Sequence, residues 1–343
     1  MQKTILYILL LAILGAGVYY FVIRDNENVF GEKEAGFSVK DTASISRIFL
    51  VRNDGHSIDL RRTDSGWYVN NQFRARENTL KNLMWTLRNQ FVQYPVPEQA
   101  HNTAIKNLAT FSVKVEVYDN KGQKVRNFFV GNESRDYTGS YMLVEGASRP
   151  YVVQVPGVQG FPTPFYTTDI ADWRDRTVFR APREQIRHIA VKYDEEPLNS
   201  FTIDQNGATR LNTEPGIQGS NQLNEKRLNT YLGFYEEIYC EGYITNVPGM
   251  DSVLASTDKY CTISVVTKDN HEQQVDIYYM PINRRSKNLG TNMEGDYDID
   301  RYYGVMNNKK DTVLLQHASF EPLFRKAWEF YQADGVVEGM QAD

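Results

Sequence analysis

The chain has 343 residues, of which 41% are hydrophobic and 24% charged, and its 38 basic and 43 acidic side chains give a net charge of −5. Two cysteines, 12 prolines and 23 glycines exclude a disulfide-dense mini-protein and a collagen-like chain. The apolar content is enough for a sizeable core, and the mild acidity gives no electrostatic reason to expect nucleic acid as a partner. At roughly 150 residues per domain, the length predicts about two domains.

The first predicted element is a membrane helix. Residues 4–23, TILYILLLAILGAGVYYFVI, contain no charged side chain, and a helix of that length is about 30 Å long, which matches a hydrocarbon core. Lys3 precedes this run, so the positive-inside rule favours a cytoplasmic amino terminus and an exported body. The alternative is a signal peptide cleaved near Gly15-Ala16-Gly17. Because the apolar run continues beyond Gly17, we predict an uncleaved, single-pass anchor.

The rest of the chain contains one strand pattern twice. FSVKVEVYDN and KGQKVRNFFVG occupy residues 111–131, and CTISVVTKDN and HEQQVDIYYM occupy residues 261–280. Each pair consists of a β-branched run, an Asp-Asn turn signal and a second alternating run, which is the pattern of a β-hairpin. We predict two equivalent hairpins in which the Asp119-Asn120 and Asp269-Asn270 turns correspond.

The elements around these hairpins also repeat in the same order. A strand with paired isoleucines, Ile45 with Ile48 and Ile186 with Ile189, starts each copy, and the segments FPTPF and FEPLF follow each hairpin. Apolar residues at helical spacing precede each hairpin; they are Leu80, Leu83, Met84, Leu87 and Phe91 in one copy, and Leu228, Tyr231, Leu232, Tyr235 and Ile238 in the other. The predicted class is α+β: two tandem copies of a mainly antiparallel sheet covered by a helix, behind one N-terminal transmembrane helix.

A break in the pattern at Arg180–Arg183, where Ala181 and Pro182 interrupt it, separates the copies. The predicted organisation is an anchor at 1–24, a linker at 25–41, a first repeat at 42–180, a second repeat at 183–333 and a C-terminal tail at 334–343.

A dense charge cluster surrounds Trp173 just before this break. Its members are Asp172, Arg174, Asp175 and Arg176. One interpretation is a patch that binds a charged group, and the other is an ion-paired segment with Trp173 buried. We favour the second, because large aromatic side chains are usually packed inside.

Cys240 and Cys261 both fall on apolar positions of their local patterns. In an exported protein they meet an oxidising compartment, so a disulfide between them is one interpretation. A bridge over a loop of about 20 residues contributes on the order of 3 kcal/mol to stability. The other interpretation is two buried thiols that act as small hydrophobic side chains. The sequence leaves both open.

The two copies differ most at residues 281–300, PINRRSKNLGTNMEGDYDID, where the second copy has additional polar residues. Insertions occur in surface loops, and loops carry contacts, so this segment is the predicted partner-binding site. The residues assigned to it are Arg284, Arg285, Lys287, Asp296, Asp298, Asp300 and Arg301.

The acidic residues of this insertion have the alternating spacing of a calcium loop. Arg301 nevertheless stands where an EF-hand requires glycine, and Asn307 occupies the position of the final carboxylate. The alternative is a solvated loop whose carboxylates pair with Arg284, Arg285 and Arg301. No metal site is predicted.

No motif in the sequence indicates catalysis. The histidines His56, His101, His188, His271 and His317 are scattered, and none is four residues from another. The zinc-site, nucleophile-elbow, P-loop and dinucleotide-binding patterns are all missing from the sequence. We therefore predict no catalytic residue and no cofactor.

Three stretches resemble the family called domain of unknown function 4340. They are ISRIFLVRNDGHSIDLRRTDSGWYVN, the series FFVG, GSYMLVEG and PYVVQVPG, and ADWRDRTVF, and the likeness covers residues 42–240. The resemblance implies a membrane-anchored bacterial protein that accompanies auxiliary parts of gliding-type ABC transport systems. It therefore implies a bacterial inner-membrane location with the body in the periplasm, and it carries over no catalytic residue.

We expect a non-enzymatic, membrane-anchored envelope protein. It would be an accessory or scaffold subunit of a membrane complex of ABC-transport type, with a protein partner in the inner membrane. The first alternative is an envelope protein that binds a small molecule or a glycan. The second, and least favoured, is an unrecognised hydrolase.

Overall fold

The computed structural model describes residues 31–215, 217, 222–283, 285–286 and 296–331. The predicted anchor at 4–23 and the tail at 334–343 lie outside these residues. Within the described part of the chain, no helix is long and apolar enough to cross a membrane. The chain forms two compact units, of which the first ends at Asp175 and the second begins at Arg176.

The first unit contains nine of the described strands and four α-helices. The strands are β1 Ile45–Arg52, β2 Ser57–Thr63, β3 Gly66–Val69, β4 Phe73–Arg74, β5 Phe91–Pro95, β6 Val113–Asp119, β7 Lys124–Glu133, β8 Ser140–Val144 and β9 Tyr151–Gln154. The helices are α1 Glu32–Ala35, α2 Glu77–Asn89, α3 Glu98–Phe111 and α4 Ile170–Trp173, with short 3-10 turns at Thr42–Ser44 and Thr163–Tyr166.

The described residues of the second unit form the remaining strands and helices. The strands are β10 Thr177–Phe179, β11 Ile186–Lys192, β12 Phe201–Asn206, β13 Ala208–Thr213, β14 Ile238–Tyr239, β15 Gly242–Tyr243, β16 Lys259–Thr267, β17 Glu272–Pro281, β18 Tyr297–Met306 and β19 Asp311–Gln316. The helices are α5 Glu225–Gly233, α6 Met250–Ala255 and α7 His317–Phe320, with 3-10 turns at Arg183–Gln185, Pro197–Asn199, Glu321–Leu323 and Ala327–Tyr331.

Each unit has one large sheet. Among the described residues the orders are β4-β3-β2-β1-β6-β7-β8-β9-β5 in the first unit and β13-β12-β11-β16-β17-β18-β19-β15 in the second, where β10 also pairs with β14. Neighbouring strands are antiparallel, for example β1 with β6 and β11 with β16. The predicted α+β class with mainly antiparallel sheets is confirmed.

Apart from the short strand β4, the two sheets have the same strand order and corresponding registers. Ile48 lies opposite Val117 in the first unit, and Ile189 lies opposite Val265 in the second. A β-bulge interrupts both central pairings at the same place, after Ile45 and after Ile186. A shared bulge is informative because it inserts one unpaired residue at a specific register position. The predicted hairpins β6–β7 and β16–β17 therefore occupy the same topological position.

The two Asp-Asn dipeptides do not correspond within these hairpins, which corrects the sequence prediction. The turn that begins at Asp119 is closed by Gly122, whose amide donates to the Asp119 carbonyl at 3.0 Å. The turn that begins at Thr267 is closed by Asn270 with the equivalent bond of 2.9 Å. Gly122 and Asn270 both have positive φ, at 76° and 64°. A backbone position with positive φ is usually filled by Gly or Asn. Asp269-Asn270 therefore lies at the end of its turn, whereas Asp119-Asn120 lies at the start of its turn.

A helix covers one face of each sheet, as predicted. Leu80, Leu83 and Leu87 of α2 are buried in the core of the first unit, and Leu228 and Leu232 of α5 are buried in the core of the second. The prediction was wrong at the C-terminal end of both helices, because Phe91 begins β5 and Ile238 begins β14. Apolar spacing alone does not mark a helix end, because a following strand can continue the apolar series.

The opposite face of the sheet differs between the units. In the first unit α3 packs there, with Ala104 and Leu108 buried near Val152. Gly131 permits this approach, because a Cβ at that position would lie 2.9 Å from Cδ2 of Leu108. The register places Tyr278 at the equivalent position of the second unit, where α6 has no buried residue.

The boundary between the units lies before the break predicted at Arg180–Arg183. The backbone amide of Cys240 donates to the Arg176 carbonyl at 2.8 Å, and Thr177 in β10 pairs with Tyr239 in β14. These bonds place the segment from Arg176 onward in the second unit. Trp173 closes the first unit: it is fully buried, and its Nε1 donates to the Thr167 carbonyl at 2.9 Å.

Candidate functional site

Five tyrosines and a phenylalanine gather at one end of the second sheet. We call this group the tyrosine cluster; it consists of Tyr193, Tyr260, Tyr279, Tyr297, Tyr302 and Phe324. The strands bring these side chains together because β11 ends, β16 begins, β17 ends and β18 begins at the same end of the sheet.

A bulge turns Tyr260 toward the cluster. Lys259 lies opposite Tyr278, and Cys261 lies opposite Ile277, so Tyr260 is the additional residue of β16. Such a residue interrupts the alternation of side chains along the strand. Strict alternation from Cys261, whose side chain is in the core, would have directed Tyr260 to the other face of the sheet. The ring of Tyr260 instead lies 5.6 Å from those of Tyr193 and Tyr302.

The rings form a continuous set of edge-to-face and stacked contacts. Tyr260 lies 4.9 Å from Phe324 and 5.2 Å from Tyr279, in both cases edge to face. Tyr279 stacks on Tyr297 with a centroid distance of 4.7 Å and an interplanar angle of 22°. Aromatic pairs in these geometries contribute about 0.5–1.5 kcal/mol each beyond the burial of their surface. The cluster is therefore a rigid surface.

The cluster has an inner and an outer layer. Tyr193 and Tyr302 are buried, at 3% and 9% exposure, while Tyr260, Tyr279 and Tyr297 are half-buried. The inner hydroxyls have protein partners: that of Tyr193 donates to the Arg325 carbonyl at 3.1 Å. The Tyr302 hydroxyl lies 3.2 Å from Nδ1 of His317. The outer layer presents ring edges and faces to solvent.

The hydroxyl groups of the cluster stay protonated at neutral pH. Burial raises the pKa of Tyr302 to about 12 and also raises the pKa of Tyr260 and Tyr279. The pKa of Tyr297 is raised because its hydroxyl donates to Asp258 at 2.7 Å. A protonated tyrosine donates hydrogen bonds and offers an apolar ring, but it is a poor nucleophile or base. The cluster is suited to binding.

Charged side chains surround the rings. Asp194 pairs with Lys192 at 3.1 Å and with Lys259 at 2.5 Å, and Glu196 pairs with Lys326 at 3.0 Å. An apolar centre with a polar rim is the usual organisation of a protein-binding surface. Tyrosine is also among the residues that contribute most to such interfaces.

Among its described residues, the first unit has no such cluster. Val113 and Cys261 occupy equivalent positions opposite Val130 and Ile277; the residue just before Val113 is Ser112, whereas the bulged Tyr260 stands just before Cys261. By the strand registers Ser140 corresponds to Tyr302, and Glu133, which pairs with Ser140, corresponds to Tyr279, which pairs with Tyr302. The sheet topology therefore does not require aromatic residues at these three positions.

The predicted insertion site begins next to the cluster. The Ile282 amide donates to the Asp296 carbonyl at 3.1 Å, and Tyr297 stacks on the cluster directly after this pair. Arg284 and Lys287 lie outside the described residues. The structure thus brings the base of the insertion and the cluster together.

The charged residues of the insertion divide into two groups. Asp298 is buried, accepts a hydrogen bond from Ser286 and lies 3.4 Å from Nη1 of Arg285. Arg285 also lies 3.8 Å from Asp300, while Arg301 pairs with Glu241. Asp296 and Asp300 are exposed. Of the described residues assigned to the insertion site, Asp298 and Arg285 hold the base of the insertion together, Arg301 pairs outside it, and Asp296 and Asp300 face solvent.

Both cysteines are buried as thiols rather than as a disulfide, the second of the two interpretations. Burial raises the pKa of Cys261 well above its usual range, so its thiol is protonated and unreactive. No group of three His, Cys, Asp or Glu side chains in the described part of the chain is arranged to hold a metal ion.

A polar cavity of about 590 Å³ lies at the other end of the second sheet. It is bounded by β10 and by the turns that follow β16 and β18, and Arg180, His271 and Asn307 contribute to its lining. The Gln273 side chain has a structural role. Its Oε1 accepts from the Arg180 backbone amide at 2.7 Å, and its Nε2 donates to the Arg180 carbonyl at 3.2 Å.

Sequence reasoning placed the site on the insertion and missed the tyrosine cluster. A signal was present, since Tyr260, Tyr279 and Tyr302 stand where the first copy has the polar residues Ser112, Glu133 and Ser140. Recognising it requires the strand registers, because the bulge at Tyr260 changes which face the side chain occupies.

Comparison with known proteins gives one match. The family model described as "Domain of unknown function (DUF4340)" matches residues 94–252, from β5 in the first unit to α6 in the second. No curated protein and no solved structure matches the chain. The match supports the resemblance of this chain to that family.

Proposed function

We propose that this protein is a non-enzymatic accessory or scaffold subunit of a membrane complex in the bacterial envelope, of ABC-transport type. In this proposal the segment 4–23 anchors it in the inner membrane, and both units lie in the periplasm. The tyrosine cluster and the exposed part of the adjoining insertion contact an integral-membrane protein partner.

One observation carries the proposal. The second unit has the half-buried Tyr260 and Tyr279 and the buried Tyr302 where the same fold in the first unit has Ser112, Glu133 and Ser140. Residues that a fold does not need, and that expose aromatic surface beside a polar loop, are characteristic of a binding surface. The apolar anchor pattern and the family resemblance support the membrane location.

The test replaces two rings of the outer layer with small polar side chains. Tyr279→Asn and Tyr297→Ser remove the stacked pair and leave Tyr260 and the buried Tyr193 and Tyr302 in place. The full chain is purified from membranes in mild detergent, and the stoichiometry of the co-purified integral-membrane protein is measured by quantitative mass spectrometry. We expect the double variant to retain less than about a tenth of the parent's partner, the loss typical of interface hot spots.

Tyr137→Ser is the matched control, because Tyr137 is 63% exposed in the first unit and lies outside the cluster. We expect it to retain the partner in full. If the double variant also retains the partner, or if the parent purifies with no stoichiometric membrane protein, the proposal is wrong.

The alternative is an envelope protein that binds a small molecule or a glycan. The neutral outer rings and the polar cavity near Arg180 favour it as the second candidate. Native mass spectrometry of the purified chain distinguishes the two, because a bound small molecule adds a discrete mass whereas a membrane subunit adds a whole protein.

A further inference from the structure

The first unit contains a groove that is separate from the tyrosine cluster. It lies between β3 and α2 and has a volume of about 470 Å³. Its floor is apolar: Ala75 and Leu80 are buried, and Trp67 and Met84 are half-buried against the core. We call it the Trp67 groove. It lies at the edge of the sheet near β4, between the sheet and α2.

The rim of the Trp67 groove is cationic. Arg62, Arg74 and Lys81 are exposed and line it, and Glu77 is its one carboxylate. With Asp175, which pairs with Arg74 from outside the lining, the rim carries an excess of one positive charge in a chain whose net charge is −5. This excess is local and cannot be explained by the composition.

The neutralisation of these cations is incomplete. Glu77 lies 3.4 Å from Nζ of Lys81 and 3.9 Å from Nη2 of Arg74, and Asp175 lies 3.9 Å from Nε of Arg74, so Lys81 and Arg74 have carboxylate partners. Arg62 donates one of its five N–H groups to the Ala43 carbonyl at 2.9 Å. This acceptor is neutral, so the bond does not neutralise the positive charge of Arg62. Guanidinium donors above an apolar floor favour a carboxylate next to an apolar side chain.

We propose that the Trp67 groove binds an acidic, amphipathic peptide segment of a protein partner. A bulky apolar side chain of the segment packs on Trp67 and Met84, and flanking carboxylates pair with Arg62, Arg74 and Lys81. The groove is concave and encloses space for a few side chains, whereas a lipid surface is contacted by an exposed, outward-facing patch. The proposal does not depend on the tyrosine cluster, which is in the other unit.

The test is a charge reversal on both sides of the contact. A fluorescein-labelled dodecapeptide of three Glu-Glu-Leu-Phe units is titrated with the full chain in neutral detergent, and fluorescence anisotropy is measured. The counterpart peptide has Lys in place of every Glu. We expect the acidic peptide to bind and the basic one to bind at least about tenfold more weakly, since like charges meet at the rim.

The double variant R62E/K81E should invert this preference: the acidic peptide should lose about tenfold in affinity and the basic peptide should gain. K106E is the matched control, because Lys106 is an exposed lysine on α3, away from the groove, and it should change neither affinity. R62Q/K81Q should give intermediate values and keeps the test valid if the reversal destabilises the chain.

Three results would overturn the proposal. The first is equal binding of the two peptides to the parent, and the second is that R62E/K81E leaves both affinities unchanged. In the third, vesicles of phosphatidylglycerol bind through Arg62 and Lys81 while the acidic peptide does not bind; the groove would then be a lipid site.

Discussion

At the scale of single residues, Gly131 decides whether a helix can cover the outer face of a sheet. Its missing side chain leaves room for Leu108 of α3, and a Cβ would also lie 3.2 Å from the Tyr141 carbonyl. Tyr278 occupies the equivalent position in the second unit. A tyrosine side chain there would occupy the space that Leu108 fills in the first unit, in line with the lack of buried residues on α6.

We expect Gly131→Ala to destabilise the first unit by about 1–3 kcal/mol, because overpacking forces α3 away from the sheet. Hydrogen exchange of the α3 amides is the measurement, and their protection should fall. Tyr278→Ala is the comparison: it removes a half-buried side chain without a clash and should change protection in β17 by about 1 kcal/mol or less. Unchanged exchange in α3 would show that the helix is not held by this contact.

Glu116 is a second residue with a measurable role. It accepts hydrogen bonds from Tyr118 at 2.6 Å and from Lys124 at 2.7 Å, and it lies 3.3 Å from Lys114. Burial alone would raise its pKa, but the hydrogen bonds from these three neighbours lower it to about 2. A lowered pKa stabilises the fold above the usual pKa of 4.5, and that contribution is lost as pH falls toward 2.

We therefore expect Glu116→Gln to cost about 1 kcal/mol at pH 7, after allowance for solvent screening of its partners. The variant and the parent should converge in stability as the pH is lowered from 4.5 toward 2. Exchange of the β6 and β7 amides at neutral and acidic pH measures this. A constant difference between variant and parent across that range would contradict the assignment to charge.

At the scale of elements, the structure describes the base of the insertion, and we predict that the fold does not need the residues beyond it. The base is held by the buried Asp298 with Ser286 and Arg285. Replacing residues 287–295 with a short Gly-Ser linker should change the melting temperature by less than about 2 °C, because the entropy of loop closure depends weakly on length. Association with the membrane partner should fall.

Asp298→Ala is the control for this deletion. It leaves the insertion at full length but leaves Ser286 without its buried acceptor, which should cost about 1–3 kcal/mol. If the shortened chain loses stability and keeps its partner, the insertion is structural and the predicted site is wrong.

Elements with a strong local pattern could be predicted from the sequence, and those set by tertiary contacts could not. The alternating runs around Asp119 and Asp269 identified both hairpins, and Leu80 and Leu228 identified α2 and α5. The α3 helix was missed, although Ala104 and Leu108 have helical spacing, because small residues give a weak apolar signal. The bulge that creates the tyrosine cluster depends on pairing with a distant strand, and no local pattern reveals it.

At the scale of the whole molecule, the proposal predicts a topology that can be measured. Protease added to spheroplasts should degrade the described units, residues 31–331, because the positive-inside rule places them outside the cytoplasm. A cytoplasmic protein is the internal control and should stay intact. Protection of this chain until the inner membrane is opened would reverse the orientation and remove the envelope proposal.

The order of strands in each sheet also has a kinetic consequence. Both sheets are completed by pairing the first strand with one that follows far along the chain: Ser46 bonds to Asp119, 73 residues away, and Arg187 to Asn270, 83 residues away. Such distant contacts must overcome loop-closure entropy before they stabilise anything, so folding is slow, on the order of milliseconds to seconds. The central pair of each sheet also cannot form until the later of its two strands has been synthesised, so neither sheet is complete before then. For the exported body proposed above, this dependence lengthens the interval in which a secretion channel can engage an unfolded chain.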